Sequence, residues 1–122
     1  MNKKRVLQRK ADQLFYQVCL EISPVCLLCG ARAVQVHHFL PKGCHGHLRY
    51  SVPNGIPICM RCHFILTHKD SSLQAEIVAK KGEEWYNNLK ELDKERPTSF
   101  ATIGYYEKTI ETLTKTLKLL QK

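Results

Sequence analysis

Leu7, Ala11, Leu14, Phe15, Val18 and Ile22 follow one another at intervals of 4, 3, 1, 3 and 4 residues. That spacing keeps them on one helical face and predicts an amphipathic helix over 5–22, which Ser23-Pro24 ends. Cys19 borders the stripe and reads as a small core residue. Val34-Gln35-Val36-His37 alternates and predicts a short strand. A loop rich in Gly, His and Lys runs from Pro41 to about His47. Leu48-Arg49-Tyr50 and Ile56-Pro57-Ile58 then flank an irregular segment around Pro53-Asn54-Gly55. Further helices are expected over 60–68, from a Ser71 or Ser72 cap through Lys81 with Gly82 as the stop, and over 83–92 with Trp85, Tyr86, Leu89 and Leu92 inward. Beyond a link at Pro97-Thr98-Ser99, the stripe Tyr106, Ile110, Leu113, Leu117, Leu120 predicts a last helix over 105–120.

The chain of 122 residues is thus expected to be one α+β domain. A basic amphipathic helix occupies 1–23, a metal module 24–70 and a helical extension 71–122. No apolar run approaches the roughly 18 residues of a bilayer span. The basic start is followed by no uninterrupted apolar core, so a secretory signal is not expected either, and a reducing cytoplasm is the expected compartment.

The charge is unevenly placed. Nineteen Lys and Arg stand against eleven Asp and Glu, and the formal net charge is +8. Residues 1–70 hold ten of the bases and three acids, whereas 71–122 hold nine bases and eight acids. Between Ile22 and Lys69 there is no Asp or Glu. A solubility charge is usually interspersed with acids; this distribution points instead to a polyphosphate partner, DNA, and away from a membrane. The candidate contacts are Lys3, Lys4, Arg5, Arg9, Lys10, Lys42, Arg49 and Arg61. Of these, Arg49 and Arg61 can clamp a phosphate or simply attract the backbone.

Within the same stretch lie two CxxC pairs, Cys26/Cys29 and Cys59/Cys62, with 29 residues between them. Each CxxC turn brings two thiolates to one side, and zinc takes four at about 2.3 Å. One structural Zn²⁺ per chain is expected. A closed tetrahedral site of this kind staples a fold and does not catalyse.

The long insert carries His37-His38, then Asn54, then His63 directly after Cys62. Phosphodiester hydrolysis needs a base to deprotonate water and a Lewis acid beside the scissile phosphate. Imidazole serves as a base near neutral pH. Adjacent strand residues point to opposite faces, so one of His37 and His38 can face a metal while the other faces the water. Asn54 can orient the base through its amide, and His63 can complete the metal site. His45 and His47 sit in a flexible basic loop, as DNA contacts or solvated groups, with an accessory metal site alongside Cys44 as a third reading. His68, five residues after His63, is not on the same helical face and reads as a helix-end surface residue.

The string Cys26-x-x-Cys29…His37-His38-Phe39-Leu40-Pro41…Asn54-Gly55-Ile56-Pro57-Ile58-Cys59-x-x-Cys62-His63 resembles the HNH endonucleases with a ββα-metal core. Nearly the whole chain, with its basic helix, Lys42-Gly43, His47-Leu48-Arg49-Tyr50 and helical tail, resembles the NinG/Rap recombination nuclease family of lambdoid phages. At His37 and His63 it is more HNH-like than NinG-like. The resemblance implies His38 as general base, Asn54 as the middle residue of the motif, and His37 and His63 as ligands of a catalytic divalent metal. The insert supplies no carboxylate, so Zn²⁺, Ni²⁺ or Mn²⁺ suits the site at least as well as Mg²⁺. A metal-dependent DNA endonuclease acting on branched intermediates such as Holliday junctions is the function implied, in a bacterial host cytoplasm if the chain is phage-encoded. The alternatives are a non-catalytic zinc module that binds nucleic acid and an HNH nuclease without branch specificity. Finally, the apolar stripe of the last helix can serve a homodimer, or fold back on its own domain against Leu14 and Phe15.

Overall fold

The computed structural model describes residues 2–122; Met1 lies outside the described residues. Five helices surround one small sheet. They are α1 (Lys3–Ile22), α2 (Met60–His68), α3 (Leu73–Lys81), α4 (Glu83–Lys94) and α5 (Ile103–Leu120). The strands β1 (Gln35–His38) and β2 (Gly55–Ile58) pair antiparallel, with Gln35 opposite Ile58, Val36 opposite Pro57, His37 opposite Ile56 and His38 opposite Gly55. The expected helices are present. The strand expected at 34–37 runs one residue later, and Ile56-Pro57-Ile58, expected only to flank an irregular segment, belongs to β2. A proline is tolerated there because each strand of a two-stranded sheet has a free edge.

The pleat sorts the core into two clusters. On one face, Val36 joins Phe15, Val18 and Cys19 of α1 and Leu113 of α5. On the other, Ile56 and Ile58 join Phe39, Leu48, Cys62, Leu66, Ile77 and Leu89, bringing in α2, α3 and α4. Burial pushes the Cys19 thiol up to about 12, as suits a core residue. Leu113 and Leu117 of the last helix pack against the Phe15 cluster with Leu14 beside them. The middle of the stripe, Leu113 and Leu117, is therefore covered by α1 of the same chain, while Leu120 stays exposed. No described helix is long and apolar enough to cross a membrane.

Helix ends show how side chains settle orphan backbone groups. Asn2 accepts the N–H of Arg5 at 2.8 Å to cap α1, and Thr102 accepts that of Tyr105 at 3.1 Å to cap α5. Ser72 stands at the head of α3 as expected, but its hydroxyl bonds the Asp70 carboxylate and leaves the helix uncapped by a side chain.

At Gly55, α1 packs directly against the hairpin. Its φ of −95° is ordinary extended backbone, so the demand on it is purely spatial. A Cβ there would lie 2.8 Å from Cys19 Sγ, 2.9 Å from Phe15 Cζ and 3.1 Å from Val36 Cγ1. Gly55→Ala should therefore destabilise the protein by about 1–3 kcal/mol through overpacking. Thermal unfolding should show a drop of several degrees, while an unchanged melting temperature would mean that α1 does not rest on β2 as described.

Candidate functional site

The four sulfurs of Cys26, Cys29, Cys59 and Cys62 all lie within 4.8 Å of one another, and no disulfide joins them. Cys29 and Cys59 are 3.6 Å apart. Four sulfurs at about 2.3 Å from a central ion would stand about 3.8 Å apart, so the cluster fits a structural metal such as zinc. Backbone geometry makes both turns. Gly30 N–H bonds the Cys26 carbonyl at 3.0 Å, and Gly30 takes a φ of 81°, which closes the first knuckle. The second forms the start of α2, where Cys59 Sγ accepts the N–H of Cys62 at 3.4 Å. Burial opposes the thiolate of Cys26, but backbone N–H groups of Cys59, Cys29 and Leu28 more than offset it and hold the pKa near 7. The Cys62 thiol is pushed up, first by burial and then by the neighbouring thiols. Such a set becomes fully ionised only around a cation.

The hairpin carries the histidines to two different surroundings. His38 Nε2 lies 2.9 Å from the Arg49 carbonyl. A carbonyl only accepts, so Nε2 carries the proton and Nδ1 keeps a free lone pair. The ring stacks on Phe15 at 5.4 Å, with the planes 22° apart. Burial lowers its pKa from the usual 6.5; the bond to Arg49 opposes this, and the charges of Lys42 and Arg49 add to it. His38 is thus a neutral base at neutral pH.

On the other face, His37 and His63 lie with ring centroids 5.7 Å apart. His37 Nε2 meets Gln74 Oε1 at 2.8 Å, and Gln74 Nε2 donates to the Phe39 carbonyl at 3.0 Å. The second bond fixes the amide orientation, so His37 Nε2 is the donor and its Nδ1 is left with a lone pair. Burial lowers the pKa of both imidazoles, which favours the neutral, metal-ligating form. An orienting carbonyl behind a ring nitrogen is the usual support of a ligating histidine. Gln74 had no signal in the sequence, being 37 residues from its partner.

Asn54 is completely buried. Its Oδ1 accepts the Leu40 N–H at 2.8 Å, and its Nδ2 donates to the carbonyls of Leu40 at 3.1 Å and Leu48 at 3.4 Å. The expectation that Asn54 orients the base through its amide is therefore corrected. The amide is spent on the loop backbone, and Asn54 positions the loop on which the Arg49 carbonyl sits.

The loop between the strands is anchored, not flexible. His45 Nδ1 pairs with Asp93 Oδ1 at 2.7 Å, and His47 Nε2 donates to the Asp93 carbonyl at 2.9 Å. Asp93 is held below the usual carboxylate range; its slight burial opposes this, but the bond to His45 and the charges of His45, Arg96 and His47 outweigh it. Neither histidine is thus a free DNA contact. Arg49 also departs from expectation: Nε and Nη2 grip the Asp12 carboxylate at 2.9 and 2.7 Å, and Tyr50 donates to the same group at 2.8 Å. Its fork is closed within the protein and is not available to a phosphate. Lys3, Lys4, Arg5, Arg9, Lys10, Lys42 and Arg61 are exposed. His68 is exposed, its ring 4.9 Å from that of Phe64. Cys44 is exposed, and its carbonyl accepts from Arg96.

The purified protein should contain about one zinc per chain by elemental analysis. Cys26→Ser or Cys59→Ser should release it and unfold the hairpin region, since a small domain draws folding energy from such a metal. Full zinc content and unchanged melting in both variants would rule out the four-sulfur site. No family model, curated protein or solved structure matches the chain, and the chemistry of the site rests on its own geometry.

Proposed function

We propose that the protein is a metal-dependent DNA endonuclease of the HNH type. The observation that carries this reading is the arrangement of three imidazoles on one strand–strand–helix unit. The rings of His37 and His63 lie 5.7 Å apart between centroids, and His38, next along the strand, has its proton held on Nε2 by the Arg49 carbonyl. A module that only binds nucleic acid has no use for such a set.

When bound, a divalent ion would supply Lewis acidity at the phosphate and its leaving oxygen. His37 and His63 would hold it, with Gln74 steadying the His37 ring. His38 accepts the proton of the attacking water at Nδ1, while the Arg49 carbonyl keeps the proton on Nε2. Cys59 and Cys62 would anchor the first turn of α2 to a zinc ion in the four-sulfur site and so place His63.

The start of α1 supports DNA as the substrate. Lys3, Lys4 and Arg5 fill its first turn without a single acid, against the helix dipole. Exposed cations placed at a cost to the helix are suited to an external anion. The resemblance to recombination nucleases favours branched DNA among the possible forms.

Cleavage of four-way, flap and linear DNA with Mg²⁺, Mn²⁺, Ni²⁺ or Zn²⁺ tests the proposal. His38→Ala should lose about 10²–10⁴-fold in rate while DNA affinity stays nearly the same. Because the base form of His38 is favoured by burial, the wild-type rate should rise with pH only to a midpoint below 6.5 and stay level through neutrality. Cleavage by His38→Ala within a few-fold of wild type would overturn the assignment.

A further inference from the structure

Beside the hairpin loop lies a cavity of about 510 Å³ that the proposed chemistry does not use. It falls within the roughly 300–1,000 Å³ of small-molecule sites. One side presents Tyr50, Phe100 and Tyr105, all half-buried. Phe100 meets Tyr105 edge-on at 71° and Tyr50 meets Tyr105 tilted at 43°, so none of the three is stacked face to face on another. Lys42 and Arg96 also line the cavity, and no acid does. Arg96 leans on Asp93 at 3.5 Å, whereas Lys42 has no ion-pair partner among the described residues. Arg49 lines the wall too, with its charge balanced by Asp12.

Half-buried, unstacked aromatic rings beside an uncommitted cation suit a ligand that is both planar and anionic. A nucleotide within a paired duplex cannot offer its base face, because neighbouring bases cover it. An unpaired one can. The wall is also continuous with the catalytic region, since the carbonyl of Arg49 is the group that holds His38.

We propose that this cavity is a subsite for one unpaired, unstacked nucleotide of a DNA strand, its base against Phe100 and Tyr105 and its phosphate at Lys42 and Arg96. The inference rests on the nuclease reading for its choice of DNA and names the substrate feature selected: a strand discontinuity, bulge or branch that frees a base.

The test is binding, with no divalent ion added, to three fluorescent DNAs. They are an intact duplex, the same duplex with a one-nucleotide bulge, and that bulge with an abasic site. The bulge should bind about tenfold more tightly than the duplex, the scale of a base–aromatic stack, and the abasic bulge should lose that advantage. Phe100→Leu and Tyr105→Leu should lose the bulge preference while binding intact duplex as wild type does, with melting curves showing that they are folded. A 2-aminopurine in the bulge should be quenched by wild type and not by Phe100→Leu. Equal binding of bulge and duplex, equal binding of the abasic bulge, or an undiminished preference in both folded variants would overturn the subsite. Because the readout needs no cleavage, a bulge preference in a protein that cuts nothing would support the subsite and sink the nuclease reading. Cleavage without any bulge preference would do the reverse.

Discussion

Two paired strands of four residues each do not hold together in water by their own hydrogen bonds, and His37 and His38 are mounted on such a pair. The hairpin is held at both ends. Gln35 pairs with Ile58 at the end where β1 begins and β2 finishes, and the two CxxC turns lie just outside that pair. At the other end, where His38 pairs with Gly55, the buried amide of Asn54 ties the loop backbone at Leu40 and Leu48. The sulfur cluster and Asn54 are therefore two clasps on one ladder. Helices on both faces then exclude water from it.

That construction sets the chemistry. The alternation of a strand sends His37 and His38 to opposite faces, one towards α2 and α3 and the other towards α1. Each ring is tied through Nε2 to an oxygen, of Gln74 or of Arg49, so each presents Nδ1. Burial keeps both neutral, which suits a ligand and a base alike. His63 owes its place to the metal-side clasp, one residue beyond Cys62. The Arg49 carbonyl owes its place to Asn54 and to the Asp12 pairings of Arg49 and Tyr50. Stability and function here use the same backbone.

Helix periodicity and cysteine spacing were legible in the sequence because they are local: stripes at intervals of three and four, thiols at CxxC. The second strand was less legible, since Gly55 and Pro57 weaken a strand pattern and only the tertiary setting explains them. The polar anchors were not legible at all. Asp12, Asp93 and Gln74 bond partners 37 to 48 residues away, and nothing local marks an exposed-looking acid or amide as taken. For the same reason Arg49 read as a phosphate clamp or a generic backbone contact, and His45 and His47 as DNA contacts or solvated groups. The stripe of α5 showed that the helix has an apolar face but not that α1 covers it.

The nuclease proposal stands or falls with a divalent-metal site at His37 and His63, separate from the four sulfurs. Titration of the zinc-loaded protein with Mn²⁺, followed through the histidine ring resonances, reads it directly. Selective paramagnetic broadening of His37 and His63 is expected at low Mn²⁺, with His45 and His47, tied to Asp93, largely spared. Broadening that begins at His45 and His47, or leaves His37 and His63 sharp, would contradict it.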